Sequence, residues 1–329
     1  MLVLGIESSC DETAASVVRD GSLTYSNVVA SSLEFHQRYG GVIPEIASRM
    51  HLDTINYVVD SALSKAKVKL KDIRLIAVTE GPGLAGSLLV GLCFAKSMGL
   101  GLDIPCLGVN HLYAHLYSVF LNNKKNICFP FVGLVVSGGH TSLFYVKDFD
   151  QIELIGATLD DACGEAFDKV AKILGLGYPG GPIIERLSKK GKPRIKFGCS
   201  VTNKPLDFSF SGIKTAVMYY VQRHIARDAV EKADIAASFQ ETVINTLIKK
   251  SLLACKIKKT KKLVIGGGVA VNSRLREKFS EAVRYSNLGV YFPDKKLCMD
   301  NAVMVAGLGY RLFRKGYKTN LDATPYPAY

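Results

Sequence analysis

His111 and His115, in the run His111-Leu-Tyr-Ala-His115, are the residues best spaced to do chemistry together. Asn110 directly precedes them and is a favourable helix N-cap. On a helix, positions i and i+4 lie side by side on one face, and two imidazoles so placed can grip one divalent cation. Leu112 stands where a His-Glu-x-x-His zinc protease carries its glutamate base, so that hydrolytic mechanism is disfavoured. An isolated His-x-x-x-His is more often a pair of core or surface histidines. A third donor, Asp300, changes the reading: the repeat described below makes its helix the counterpart of the histidine helix. If the two halves face each other across a cleft, Asp300 completes a His/His/Asp set with positions open to water or substrate. Asp300 also suits the N-cap of its own helix.

Glycine turns are a second signal. Ser137-Gly138-Gly139 and Gly266-Gly267-Gly268 each follow a short apolar stretch. Backbone N–H groups in such turns can cradle phosphate oxygens, although any single Gly-Gly can equally be a plain tight turn. Ser8, Ser9 and Thr13 offer hydroxyls on an opposing hairpin. Gly81-Pro-Gly83-Leu-Ala-Gly86 fits G-x-G-x-x-G, but no acidic residue ends the next strand, so a dinucleotide site is rejected. No phosphate-binding P-loop motif is present.

The elements that must hold these residues recur in one order. Residues 2–6 and 14–18 form an apolar hairpin around a polar tip, and residues 131–136 and 142–146 form another. Residues 75–78, a glycine turn and a helix-like run to 98 match residues 263–265, a glycine turn and a run to 283. Residues 106–109 lead to a helix near 111, and residues 290–292 lead towards one near 300. Three matching units in sequence indicate an internal duplication of an α/β lobe. The division falls at 1–128 and 129–329, with helical insertions over 31–66 and 160–253.

The chain has 329 residues, ample for two domains, with 42 basic against 29 acidic residues and a net charge of +13. That excess favours a polyanionic partner such as RNA. Lys256, Lys258, Lys259, Lys261 and Lys262 form one basic run; Arg186, Lys189, Lys190, Lys192, Arg194 and Lys196 form another. Eight dispersed cysteines without a C-x-x-C read as reduced thiols, the N-terminus does not read as a signal peptide, and no apolar run reads as a membrane span. A cytoplasmic location is expected.

Taken together, these residues resemble the TsaD family, the subunits that install threonylcarbamoyl on adenosine 37 of tRNAs. The resemblance rests on Gly5-Ile-Glu-Ser-Ser-Cys-Asp-Glu-Thr13, Gly40-Gly-Val-Ile-Pro-Glu45, Asn110-His-Leu-Tyr-Ala-His115 and Val136-Ser-Gly-Gly-His-Thr141. It continues in Asp160-Asp-Ala-Cys-Gly-Glu-Ala-Phe-Asp-Lys169, Tyr178-Pro-Gly-Gly-Pro182, Ser209-Phe-Ser-Gly-Ile-Lys214, Gly266-Gly-Gly-Val-Ala270 with Asn272, and Asp300-Asn301. It implies a duplicated actin-like, sugar-kinase-like two-lobed α/β fold with helical insertions. It implies a metal, Fe(II) or Zn(II), on His111, His115 and Asp300. Threonylcarbamoyl-AMP, or an ATP- or AMP-like ligand, would be lined by Leu134, Val135, Val136, Ser137, Gly138, Asp168, Gly181, Glu185 and Asn272. Val135 occupies the place of an archaeal tyrosine near the metal, so that ligand is not carried over. Asp11 or Glu12 would accept the proton of the attacking amine. Expected partners are tRNA, a TsaB-like paralogue that dimerises with this subunit, a small TsaE-like ATPase and an upstream threonylcarbamoyl-AMP synthase, with no membrane. The competing readings are an ATP-dependent small-molecule kinase or carbamoyltransferase of the same fold, and a non-catalytic nucleotide-switched scaffold.

Overall fold

A computed structural model describes residues 1–122, 127–200, 202–224, 229–318 and 323–327. The chain forms two units: Met1–Ile127 with Pro293–Tyr329, and Cys128–Phe292.

The first unit opens with β1 (Leu2–Glu7), β2 (Glu12–Arg19) and β3 (Leu23–Ser31), an antiparallel meander with Val3 opposite Val18 and Glu7 opposite Ala14. After α1 (Leu33–Gln37) comes α2 (Pro44–Ala66), with Pro44 at its first turn. Proline there sacrifices only an amide that has no intrahelical partner. Next come β4 (Leu75–Gly81), α3 (Ala85–Leu102), β5 (Cys106–Asn110) and α4 (His111–Tyr117). The sheet order is β3-β2-β1-β4-β5, with β4 parallel to both β1 and β5. Leu4, Ile6, Ile76 and Val78 pack against Ile55 and Val58 of α2 and Leu92 and Ala95 of α3. Helical cover on this face, and by the helix Ala302–Arg314 on the other, is why β1 and β4 are almost wholly apolar.

α3 corrects one sequence expectation. It has 18 residues and a mean hydropathy of 1.5, long and apolar enough by length and composition to cross a membrane. The scattered Ser, Gly and Lys do not offset its leucines. Its face bearing Leu88, Gly91, Leu92 and Ala95 is buried in the unit.

The second unit runs β6 (Phe131–Val136), β7 (Thr141–Asp148), β8 (Gln151–Ala157), α5 (Cys163–Ile173), α6 (Gly180–Ser188), α7 (Ser211–His224), α8 (Ala229–Ile257), β9 (Lys262–Gly266), α9 (Ser273–Val283) and β10 (Gly289–Tyr291). Its sheet, β10-β9-β6-β7-β8, is the first sheet's order read from the other end, with the same parallel and antiparallel pairings. The duplication inferred from the sequence is therefore a duplication of topology. Each hairpin also has a third strand, β3 or β8, that the sequence reading omits. Both lie at sheet edges, where half the side chains face solvent and no continuous apolar run forms.

The last element, α10 (Ala302–Arg314), packs across β1, β2 and β4. Every residue from Ala302 to Tyr310 is buried. The sequence division assigns this segment to residues 129–329; its apolar surface is instead covered within the first unit.

Candidate functional site

α4 starts where it does because Asn110 Oδ1 accepts the Tyr113 N–H at 3.0 Å. That cap puts His111 and His115 on one buried face, with their ring centroids 4.6 Å apart. Asp300 arrives from the turn before α10. The cap of α10 is Asn301, not Asp300. Asn301 Oδ1 accepts from Met304 N at 3.1 Å, and its Nδ2 donates to the carbonyls of Met299 and Leu297. Asn301 thus clamps both sides of the turn and leaves the Asp300 carboxylate to face the histidines. Asp300 Oδ1 lies 3.1 Å from His115 Nε2 and 3.7 Å from His111 Nε2.

One ligand atom from each of His111, His115 and Asp300 lies within 4.8 Å of the other two. All three residues belong to the first unit, so the triad needs no meeting of the two halves across a cleft. The two His115 nitrogens are buried without a hydrogen-bond partner, because the close approach to Asp300 is out of line for one. A polar atom buried this way costs roughly 1–3 kcal/mol unless a ligand satisfies it. Burial and then the neighbouring His111 lower the His115 pKa. Two imidazoles and a carboxylate fit a divalent cation with open positions.

The surroundings are acidic. Burial would lower His111, but Glu7 and Asp300 outweigh it and push the imidazole up to about 9. Burial would raise Glu7, but His111 holds it below its usual range. Glu12 is pushed up to about 10, first by burial and then by Asp300 and Asp11. Asp11 and Glu12 share a hydrogen bond, and Glu12 stands within charge range of Asp300. A concentration of carboxyl groups that raises one member so far is a corner in which positive charge is stabilised.

The three hydroxyls expected to face a phosphate are otherwise engaged. Ser8 Oγ donates to Ser87 O at 2.9 Å, Thr13 Oγ1 is 2.7 Å from His51 Nδ1, and Ser9 Oγ is 3.2 Å from His111 Nδ1. All three residues are buried. The glycines of the G-x-G-x-x-G match serve close packing: a side chain on Gly83 would collide with Ser9 O.

In the second unit, Leu134, Val135 and Val136 have fully buried side chains on β6, so only the following turn can present groups outward. There Ser137 O and Gly138 O accept from the first amides of α5, Gly164 N at 3.0 Å and Glu165 N at 3.2 Å. Gly267 (φ +93) passes so close to the end of β6 that a Cβ would strike Val136 O. Asp168 Oδ1 accepts from Gly180 N at 2.7 Å at the start of α6, which carries Gly181 and Glu185. Glu185 Oε1 accepts from Ser273 N at 3.0 Å, and Asn272 caps α9 through Leu275 N. Glu185 also lines a pocket of about 600 Å³ with Gln240, Glu241, Ser273 and Arg274. Asn272 reaches that pocket through a 2.8 Å bond to Gln240 Oε1.

Three contributors carry little local signal: Gln240 is a buried amide in the apolar run of α8, Asn301 stands beside the acidic Asp300, and Glu7 ends β1 inside a polar motif. Only for Glu7 was there a usable signal, a charged residue at the end of an otherwise apolar strand.

A duplicated α/β fold with this sheet order and two buried histidines facing a half-buried carboxylate defines the class: an actin-like fold carrying a candidate metal centre. Solved structures share the fold. HypF from T. kodakarensis superposes with a TM-score of 0.66 at 16% identity over 98% of this chain and 49% of that chain. Component A of (R)-2-hydroxyglutaryl-CoA dehydratase from Acidaminococcus fermentans gives 0.56 at 15% identity over 95% and 98%. The family model TsaD, tRNA N6-adenosine threonylcarbamoyltransferase, matches residues 24–307. Proteins of that name from Dictyoglomus turgidum and Symbiobacterium thermophilum are 49% and 50% identical, covering 99% of this chain and 98% and 96% of theirs. The chain belongs to the TsaD family.

Proposed function

We propose that this enzyme transfers the threonylcarbamoyl group of threonylcarbamoyl-AMP to N6 of adenosine 37 in tRNAs that read ANN codons, releasing AMP. The observation that carries the reading is the triad of buried His111 and His115 with half-buried Asp300, both His115 nitrogens unsatisfied, in a chain of this family. A divalent cation held there, Fe(II) or Zn(II), would supply Lewis-acid polarisation of donor oxygens.

The chain's own residues do the remaining work. The adenosine amine forms a bond to the carbamoyl carbon, the bond from that carbon to the phosphate oxygen breaks, and AMP leaves with the electron pair. Asp11, hydrogen-bonded to Glu12 beside it, takes the amine proton. The second unit binds the nucleotide. Asp168, Gly181, Glu185 and Asn272 act around the Glu185 pocket, and the Gly138 amide faces the phosphate, the Ser137 N–H being held by His140 O. Open space surrounds the position of an added Cβ at Gly138, which leaves room for a ligand to approach.

Exposed Lys256, Lys259 and Lys261 on the second unit, together with the exposed basic run from Arg186 to Lys196, offer the positive charge for tRNA phosphates. Lys258 is paired with Glu153, and Lys262 donates to the Cys128 carbonyl. A TsaB-like paralogue and a TsaE-like ATPase assemble with the subunit in the cytoplasm, and a separate synthase supplies the donor.

The test is reconstitution of the purified chain with its partners, synthetic threonylcarbamoyl-AMP and unmodified tRNA, with nucleosides read by mass spectrometry. Modified adenosine is expected, and Asp11→Asn should lower its rate about 100-fold or more. No product, with partners proven active alongside another family member, would overturn the proposal; near-normal turnover by Asp11→Asn would overturn the base assignment alone.

A further inference from the structure

Glu7 closes β1 and has no exposed surface. A carboxylate so placed must be satisfied by donors, and three surround it. Oε1 accepts the Ser9 N–H at 2.6 Å. Oε2 accepts the Thr79 hydroxyl at 2.5 Å and lies 3.0 Å from Nδ1 of His111. Thr79 sits on β4, the strand beside β1, and is itself buried. An ionised carboxylate can only accept, so the His111 ring must present an N–H at Nδ1. Nε2 is then the nitrogen directed at Asp300, where its separation from Oδ1 is 3.7 Å.

The two histidines differ in this respect. His111 is tied to the β-sheet through Glu7, with Ser9 Oγ a second neighbour of Nδ1 at 3.2 Å. His115 has no protein hydrogen bond at either nitrogen. One imidazole is therefore tied to the sheet before a cation arrives, and the other is placed by its packing and by the charge of Asp300 3.1 Å away. Outer carboxylates that hold a ligating histidine fix its tautomer and ring plane and raise its basicity.

We propose that Glu7 is a positioning residue for the metal: through Nδ1–H of His111 it selects the Nε2 ligand and sets the affinity of the centre, while Thr79 and the Ser9 amide hold Glu7 in place. The proposal rests on the metal reading given above, and it can be separated from it by experiment.

The measurement is Co(II) and Zn(II) binding to the purified full-length chain, by calorimetry and by the Co(II) visible spectrum, on wild type, Glu7→Gln, Thr79→Val and His115→Ala. Glu7→Gln should weaken binding roughly 10–100-fold. Thr79→Val should weaken it by about threefold to tenfold, because the carboxylate remains but loses one donor. The second readout needs no variant. Long-range ¹H–¹⁵N spectra of the zinc-bound wild type should show His111 protonated at Nδ1 and ligated through Nε2. Ligation of His111 through Nδ1 would overturn the proposal even if Glu7→Gln failed to fold. So would Glu7→Gln binding Co(II) within threefold of wild type while His115→Ala loses it, which would leave the metal site standing. Wild type that binds neither ion would remove the metal reading, and this inference with it.

Discussion

Asp300→Ala tests the centre directly, because Asn301 caps α10 and the substitution costs the helix no cap. Asp300 is the carboxylate of the triad and the group both imidazoles approach. Four-ligand zinc sites are worth about 10–16 kcal/mol, so one ligand contributes about 3 kcal/mol, roughly 150-fold in Kd. With Zn(II) at 100 times the wild-type Kd, binding stabilises the folded wild type by about 2.7 kcal/mol. At the same concentration the variant would gain only about 0.3 kcal/mol. For a unit of this size that is a metal-induced rise in Tm of about 5–10 °C falling to about 1 °C, read by differential scanning fluorimetry with and without zinc. The metal-free variant should melt within about 2 °C of the metal-free wild type, because Asn301 keeps the cap of α10. An undiminished zinc-induced rise would refute the assignment of Asp300 as a ligand.

Asn301→Ala should cost about 1–2 kcal/mol in urea denaturation, because it removes a helix cap and frees the turn that carries Asp300. Zinc affinity should fall with it, and unchanged affinity would mean that Asp300 is held by something else. Asp161 accepts from Lys169 at 2.6 Å and Lys214 at 2.9 Å; burial would raise its carboxyl, but the two lysines hold it below the usual range. A depressed carboxyl contributes stability above the unfolded value of about 3.9 and loses it as pH falls through the folded value. Asp161→Asn should therefore cost about 1.5–3 kcal/mol at pH 7 and flatten the acid limb of the stability profile below about pH 4. A parallel profile would refute the pairing. Tyr326 donates its backbone N–H to Glu80 O, and its hydroxyl, raised to about 12 chiefly by burial, accepts from Asn110 Nδ2 at 3.0 Å. Tyr326→Phe should cost about 1 kcal/mol, seen as roughly fivefold faster amide exchange at Tyr113, where Asn110 caps α4. Exchange at the wild-type rate would show that the tail does not brace that cap.

Local order carried much of this molecule. The apolar runs of β1, β4, β6 and β9, the glycines that end them and the i,i+4 histidines behind an Asn cap are features of neighbouring residues, so periodicity and capping chemistry made them legible. The repeat of those features in one order was enough to infer a duplicated lobe and to pair the Asp300 turn with the His111 helix. The edge strands β3 and β8 were not legible, because a strand half exposed to water has no continuous apolar signature. Nor did composition separate α3 from a membrane-spanning helix; which of its faces is buried depends on what packs there.

Spacing and the repeat pointed to His111, His115 and Asp300 as donors suited to one cation. Which sheet the chain's last helix covers was a matter for packing, and that choice put Asp300 in the same unit as the histidines. The same packing buried Ser8, Ser9 and Thr13, whose hydroxyls the sequence had offered to a phosphate, and put Glu7 behind His111. A side chain's identity is local, but its neighbours across a sheet come from residues a hundred positions away, and no pattern along the chain encodes their distance or direction.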